Sequence, residues 1–174
     1  TSLKSTREVF DHPWALPAAP QWHNFATAWQ TGNFAVATLN SALVAGGTAL
    51  ATILLAAPAA YALARFRTRS APPLLWLFIL GIGIPGQVIV LPAYSLMNAL
   101  DLVDSLSGLW LLYVATSLPF AVFFLSGFFA SLPSELEEAA ALDGASPLRT
   151  FWSIMLPLAR SGIVTLIILN LIAH

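Results

Sequence analysis

Few residues in this 174-residue chain are of a type and spacing that could do chemistry, and the missing ones exclude most of it. There is no cysteine, which removes disulfide frameworks, thiolate metal sites and cysteine nucleophiles together. The histidines, His12, His23 and His174, stand far apart with no HExxH pair, so neither a histidine-built metal site nor histidine catalysis is expected. No catalytic carboxylate pair, and no nucleophile with a base, falls inside the apolar stretches. No GxxxxGK[ST] phosphate loop is present either. What stands out is a run of acids, Glu135, Glu137 and Glu138, followed by Gly144. Its chemistry is recognition of another surface.

The segment 132–157, LPSELEEAAALDGASPLRTFWSIMLP, reads as two short helices joined by a turn. Ser134 with Glu137 three residues later predicts a capping box, and acids in the first turn suit the positive end of the helix dipole. Gly144 is the expected C-terminal stop. Ser146-Pro147 restarts a helix, because proline in the first turn gives up no needed N–H. Leu136, Ala139 and Ala140 share one face of the first helix at i, i+3 and i+4, a small apolar surface edged by acids that could enter a groove on a partner. The alternative is a helix lying on the membrane surface, but anionic lipid repels three glutamates.

The elements around this segment follow from charge and hydropathy. Hydrophobic residues make up 58% of the chain and charged residues 9%, against about a quarter charged in a soluble domain. The net charge of −1 offers no basic patch for nucleic acid. Charged residues are absent between Asp11 and Arg65, between Arg69 and Asp101, between Asp104 and Glu135, and after Arg160. A helix needs roughly 20 apolar residues to cross the hydrocarbon, so these gaps predict spans near 34–64, 72–97, 106–129 and from about 156 onward. The runs are too long and too continuous for barrel strands. Arg65, Arg67 and Arg69 place the first connecting loop in the cytoplasm, the acidic loop 98–105 outside, and the loop from Ser131 to Arg160, with Arg149 and Arg160, inside again. Residues 1–33 are then extracytoplasmic. Their prolines, Pro13, Pro17 and Pro20, and tryptophans, Trp14, Trp22 and Trp29, predict an extended segment resting near the membrane lipid.

Within the predicted transmembrane domain, 34–174, small and helix-breaking residues are frequent. Ala42, Ala45, Gly46, Gly47, Ala49 and Ala56 predict close approach of another helix, and Gly81-Ile82-Gly83-Ile84-Pro85-Gly86-Gln87 predicts a broken helix facing protein or a water-filled cavity. Asn40, Gln87 and Thr116 are polar at depth. They could line a translocation path or bond a neighbouring helix, and the second reading is the simpler. None is ionisable, and only the terminal His174 could serve a proton relay, so the energy for transport is expected from elsewhere.

The spacing Glu138-Ala139-Ala140, three residues, Gly144, nine residues, Ile154, one residue, Leu156-Pro157 resembles the EAA motif of permease subunits in binding-protein-dependent ABC importers. The stretches Asn24 with Trp29, Gly32 and Asn40-Ser41, Ala60-Tyr61-Ala62-Leu63-Ala64-Arg65-Phe66, and Ile84-Pro85-Gly86-Gln87 are similar to the carbohydrate branch, and in particular to the smaller permease of maltose-type systems. The resemblance implies an all-α membrane protein, a type I importer-like helix bundle with a cytoplasmic coupling helix. It implies that Glu138, Ala139, Ala140 and Gly144 dock on a dimer of cytoplasmic ATPase subunits, and that Ile154, Leu156 and Pro157 anchor the loop to the following span. It also implies a second permease and an extracytoplasmic solute-binding protein, with ATP bound by the partner and no cofactor or metal held here. The chain would be a multi-pass protein of the cytoplasmic (inner) membrane that moves a sugar or sugar-like solute by alternating access.

Members of that type have six spans, so the sequence is expected to hold the second to the fifth, with further spans before Thr1 and after His174. Two other functions compete. An ABC permease for a non-sugar solute would share the loop but not the outer segment, and a channel or secondary transporter would need no ATPase. The scarcity of ionisable groups at depth opposes a secondary transporter.

Overall fold

The computed structural model describes residues 1–66 and 69–173. Arg67, of the arginine cluster, and His174, the one titratable group considered for a relay, lie outside the described residues. Every regular element among the described residues is helical. The chain divides into two units, Thr1–Ala42 and Leu43–His174.

The first unit corrects the expectation of an extended segment. Helix α1 (Thr6–Asp11) starts at a capping box, in which Ser5 Oγ accepts from the Glu8 N–H at 3.3 Å and Glu8 Oε2 accepts from the Ser5 N–H at 3.3 Å. Lys4 is 7% exposed, and its Nζ donates to the His12 carbonyl at 2.8 Å. Asn24, on α2 (His23–Thr31), donates from Nδ2 to the carbonyls of Ser2 at 3.0 Å and Lys4 at 3.2 Å. The prolines therefore shape a loop between two helices, and the polar chain around it is tied down by its own side chains. Trp14, at 98% exposure, and Trp22 stand out from this unit.

Helix α3 (Phe34–Arg65) begins in the first unit and continues through the second. Its 32 residues extend about 48 Å, longer than a bilayer core is thick. Thr48, Thr52, Ala56 and Ala60 recur every fourth residue and are each 0% exposed. That row of small side chains is a close-packing face, but of the small residues expected to form one only Ala49 and Ala56 are buried, while Ala42 and Gly46 are exposed. Helix α6 (Leu106–Ser131), started by Ser105 accepting from the Gly108 N–H at 3.1 Å, supplies the opposite side of the core with Ala121, Val122, Leu125 and Phe129. Phe151, Met155, Ala159 and Leu166 complete it.

Between these, α4 (Ala71–Ile82) and α5 (Gly86–Ala99) meet at 99°. Pro85 there is extended, with φ −61 and ψ 134, and cannot continue the preceding helix. This is the break expected from the glycine–proline cluster. Helix α4 packs along α6, as does the later helix α10 (Arg160–Ala173). By length and composition α3 and α6 can each cross a membrane, and the bent pairs bring the number of candidate spans to four.

Candidate functional site

The segment between α6 and α10 is built as expected in outline and differently in its contacts. Helix α7 (Glu135–Leu142) carries acids throughout its first turn. It ends in a Schellman turn: the Gly144 N–H donates to the Ala141 carbonyl at 3.0 Å and the Ala145 N–H to the Ala140 carbonyl at 2.9 Å. Gly144 takes φ 77, a left-handed conformation that a side chain disfavours, although a Cβ there would meet nothing within 4 Å. The requirement for glycine is conformational. Ser146 then caps α8 (Pro147–Thr150), its Oγ accepting from the Arg149 N–H at 3.3 Å with Pro147 in the first turn. A π-helical turn, Phe151–Met155, and α9 (Leu156–Leu158) follow, and at Ala159 the chain bends by 70° into α10. The predicted join to the last span at Pro157 thus falls at Ala159, and Pro157 itself is exposed.

The expected capping box at Ser134 is absent. Ser134 has helical φ −71 and ψ −23, and its side chain caps nothing. Glu137, assigned to that box, turns to α3 instead: Tyr61 Oη donates to its Oε1 at 2.6 Å, and Arg65 Nε lies 3.4 Å from its Oε2. Arg65 Nη2 donates at 2.6 Å to the Leu132 carbonyl, on the chain leaving α6. The Arg65 and Glu137 side chains are only 11% and 23% exposed. Above them the Tyr61 ring packs on Phe129 and Phe151 at centroid distances of 5.6 and 5.1 Å. Charged groups half withdrawn from water attract more strongly than exposed ones, so this contact holds α7 firmly against α3.

The expected docking face is divided. Glu138, Ala139 and Gly144 are exposed, but Ala140 is 5% exposed and packs inside the chain, so the structure removes it from the outward surface. An eight-residue helix held by Glu137 on one side must bury the adjoining side of its turn. In its place the outward surface gains Leu142, 90% exposed, and Leu148, 69% exposed. Ile154 and Leu156 are half-buried against the core. The sequence reading missed the Glu137 contact, and its one available sign was an arginine ending the first span opposite an acid opening the loop.

Of the three polar positions considered for a path, Thr116 lines a cavity of about 680 Å³ between the broken α4–α5 pair and α6. Its hydroxyl donates to the Leu112 and Tyr113 carbonyls at 3.0 and 3.2 Å, so it already serves its own helix. Gln87 is exposed on α5 outside that lining, and Asn40 is half-buried in the first unit. Most of the lining is apolar, including Ile89, Leu96, Leu111 and Phe120.

Residues 52–173, which hold this loop and cavity, match the binding-protein-dependent transport system inner membrane component family. The chain belongs to that family. Membership makes it part of a transport-system inner membrane component that passes the cytoplasmic membrane more than once, and accounts for the all-helical bundle with its interrupted spans. The diacetylchitobiose uptake system permease protein NgcG of Streptomyces coelicolor is 37% identical over 170 residues, 98% of this chain and 56% of that protein. The sn-glycerol-3-phosphate transport system permease protein UgpE of Yersinia pestis is 33% identical over 172 residues, 95% of this chain and 60% of that protein. A crystal structure of a bacterial ABC transporter that imports the acidic polysaccharide alginate superposes with TM-score 0.82 at 22% identity, covering 99% of this chain and 60% of that one. That likeness shows the fold. The chain spans less than two thirds of the length of each of these proteins.

Proposed function

We propose that the chain is the membrane-spanning part of an ATP-driven importer for a sugar or sugar-like solute. In this reading it works beside a second permease, receives solute from an extracytoplasmic binding protein, and docks ATPase subunits on its 131–157 loop. The observation that carries the reading is the exposed end of α7. A short helix stopped by Gly144 at φ 77 holds Glu138 and Ala139 outward beside Leu142 and Leu148. Exposed leucines edged by acids on a rigid turn fit a partner groove better than lipid headgroups. ATP hydrolysis belongs to that partner, and this chain supplies docking and a path. The loop lies on the cytoplasmic side with Arg65 and Arg69.

Among the described residues no lysine or arginine lines the cavity, whereas a phosphorylated solute would call for a cation or a row of backbone N–H groups, so we favour an uncharged solute. Uptake by the full-length protein, co-expressed with its ATPase, second permease and binding protein, tests the reading. Radiolabelled chito-oligosaccharide should accumulate in vesicles only with ATP. Accumulation without ATPase subunits would establish a channel or secondary transporter instead, and ATP-driven uptake of glycerol 3-phosphate but not of sugars would overturn the sugar assignment.

A further inference from the structure

The 131–157 loop is joined covalently to α6 before it and to α10 after it, whereas α3 reaches it only through space. The polar part of that through-space junction is small and specific: Tyr61 Oη to Glu137 Oε1 at 2.6 Å, Arg65 Nε to Glu137 Oε2 at 3.4 Å, and Arg65 Nη2 to the Leu132 carbonyl at 2.6 Å. We infer that Glu137 is a positioning residue that couples α7 to α3, so that movement of the docked loop is passed to the helix whose Thr48–Ala60 face forms one wall of the core.

Helix α7 has eight residues, too few to hold a direction by itself. Its orientation must be imposed by contacts, and Glu137 and the buried Ala140 supply them from successive turns. Apolar packing of Tyr61 on Phe129 and Phe151 ties the end of α3 to the core but involves no residue of α7. The carboxylate bridge is directional at Oε1, which accepts the Tyr61 hydroxyl, while Oε2 stands in ion-pair range of the Arg65 guanidinium. Arg65 extends the same grip to the chain leaving α6, so the ends of α3 and α6 and the start of α7 form one block. Glu138, one residue on, is exposed and free for a partner. Adjacent glutamates thus divide the work: one faces the partner and the other faces α3.

The inference rests on the ATPase-docking reading, and its test separates the two. The chain has no cysteine, so a single one introduced as Ala93→Cys in the cavity wall reports accessibility in the assembled complex. The labelling rate with a membrane-impermeant maleimide is compared with and without ATP, magnesium and vanadate. Glu137→Ala should leave the ATPase subunits bound and hydrolysing ATP, while the ATP-dependent change in labelling falls about tenfold, the scale of one lost hydrogen bond to a charged group. Glu137→Gln, which still accepts from Tyr61, should fall in between. A full response in Glu137→Ala would overturn the inference, as would loss of the ATPase subunits, which would make Glu137 a docking residue. If Glu137→Ala does not reach the membrane, Tyr61→Phe decides: it keeps the packed ring and removes only the hydroxyl, and an unchanged response would overturn the inference. Absence of ATPase subunits from the unsubstituted complex would overturn the docking reading itself.

Discussion

Arg65 Nη2 donates to the Leu132 carbonyl at 2.6 Å while Nε of the same side chain lies 3.4 Å from Glu137. A guanidinium can serve both at once because its donors are fixed in a plane, whereas an ammonium is a single point. Arg65→Lys should therefore keep the charge and lose one contact. We expect a loss of about 1.5–3 kcal/mol, the range for a hydrogen bond to a charged group, read as a lower unfolding temperature of the purified protein in detergent. An unchanged temperature would mean that one of the two contacts contributes nothing.

Gly144 separates conformational from contact effects. Gly144→Ala should cost about 1 kcal/mol through the left-handed backbone, and Gly144→Asn less, since asparagine tolerates that region best among non-glycine residues. Because a Cβ there meets open space, neither should disturb the fold. Gly144→Glu places a charge on the outward surface and should abolish co-purification of ATPase subunits with the protein still in the membrane. Retained ATPase and normal ATP-driven uptake would contradict the docking assignment.

Gly108 and Gly46 form a matched pair. A Cβ at Gly108 would collide with the Leu102 backbone carbonyl, while one at Gly46 meets nothing within 4 Å. Gly108→Ala should destabilise by about 1–3 kcal/mol, as overpacking against an unyielding group does. Gly46→Ala should be neutral or stabilising by about 0.5 kcal/mol, because it removes a flexible residue from the helix interior. Unfolding in graded denaturing detergent compares the two directly.

The first unit should respond to acid. Backbone N–H donation from Ser5, then from Ala18, holds the Glu8 carboxyl below its ordinary value of 4.5. A lowered folded-state pKa means that its stabilisation is complete above that ordinary value and is lost as pH falls through it toward the folded value. Hydrogen exchange in residues 5–18, corrected for intrinsic rates, should therefore accelerate below about pH 4.5 and level off at lower pH. Glu8→Gln should remove the dependence. Equal protection of the two proteins at pH 3 and at pH 7 would show that Glu8 contributes nothing to the cap.

The spans were legible because a bilayer leaves so little choice. Uncharged runs long enough to cross must be helical, and Gly83-Ile84-Pro85 cannot continue one, so α3 to α6 and the α4–α5 break follow from residue types alone. The Gly144 stop and the Ser146-Pro147 restart were legible for a similar reason, being local backbone chemistry. Glu137 was not. Its capping role was inferred from a neighbour three residues away, and its partner is Tyr61, 76 positions distant in sequence. Local spacing carries no information about which helix end packs beside it. The same limit hid Ala140, whose burial depends on how α7 packs in the folded chain. It also hid the first unit, where Lys4 and Asn24 close a fold that prolines alone seemed to forbid.

The every-fourth-residue row on α3 has a mechanical meaning. Alanine has no rotamers and threonine few, so Thr48, Thr52, Ala56 and Ala60 present a surface with almost no interlocking knobs. Helices that interdigitate through leucine or phenylalanine must unpack those side chains before they can shift. A smooth face can slide by a fraction of a turn with its contacts re-formed at each step, a shear motion with a low barrier. The stiff aromatic block around Tyr61 and the smooth row beyond it thus make α3 rigid at one end and lubricated along its length.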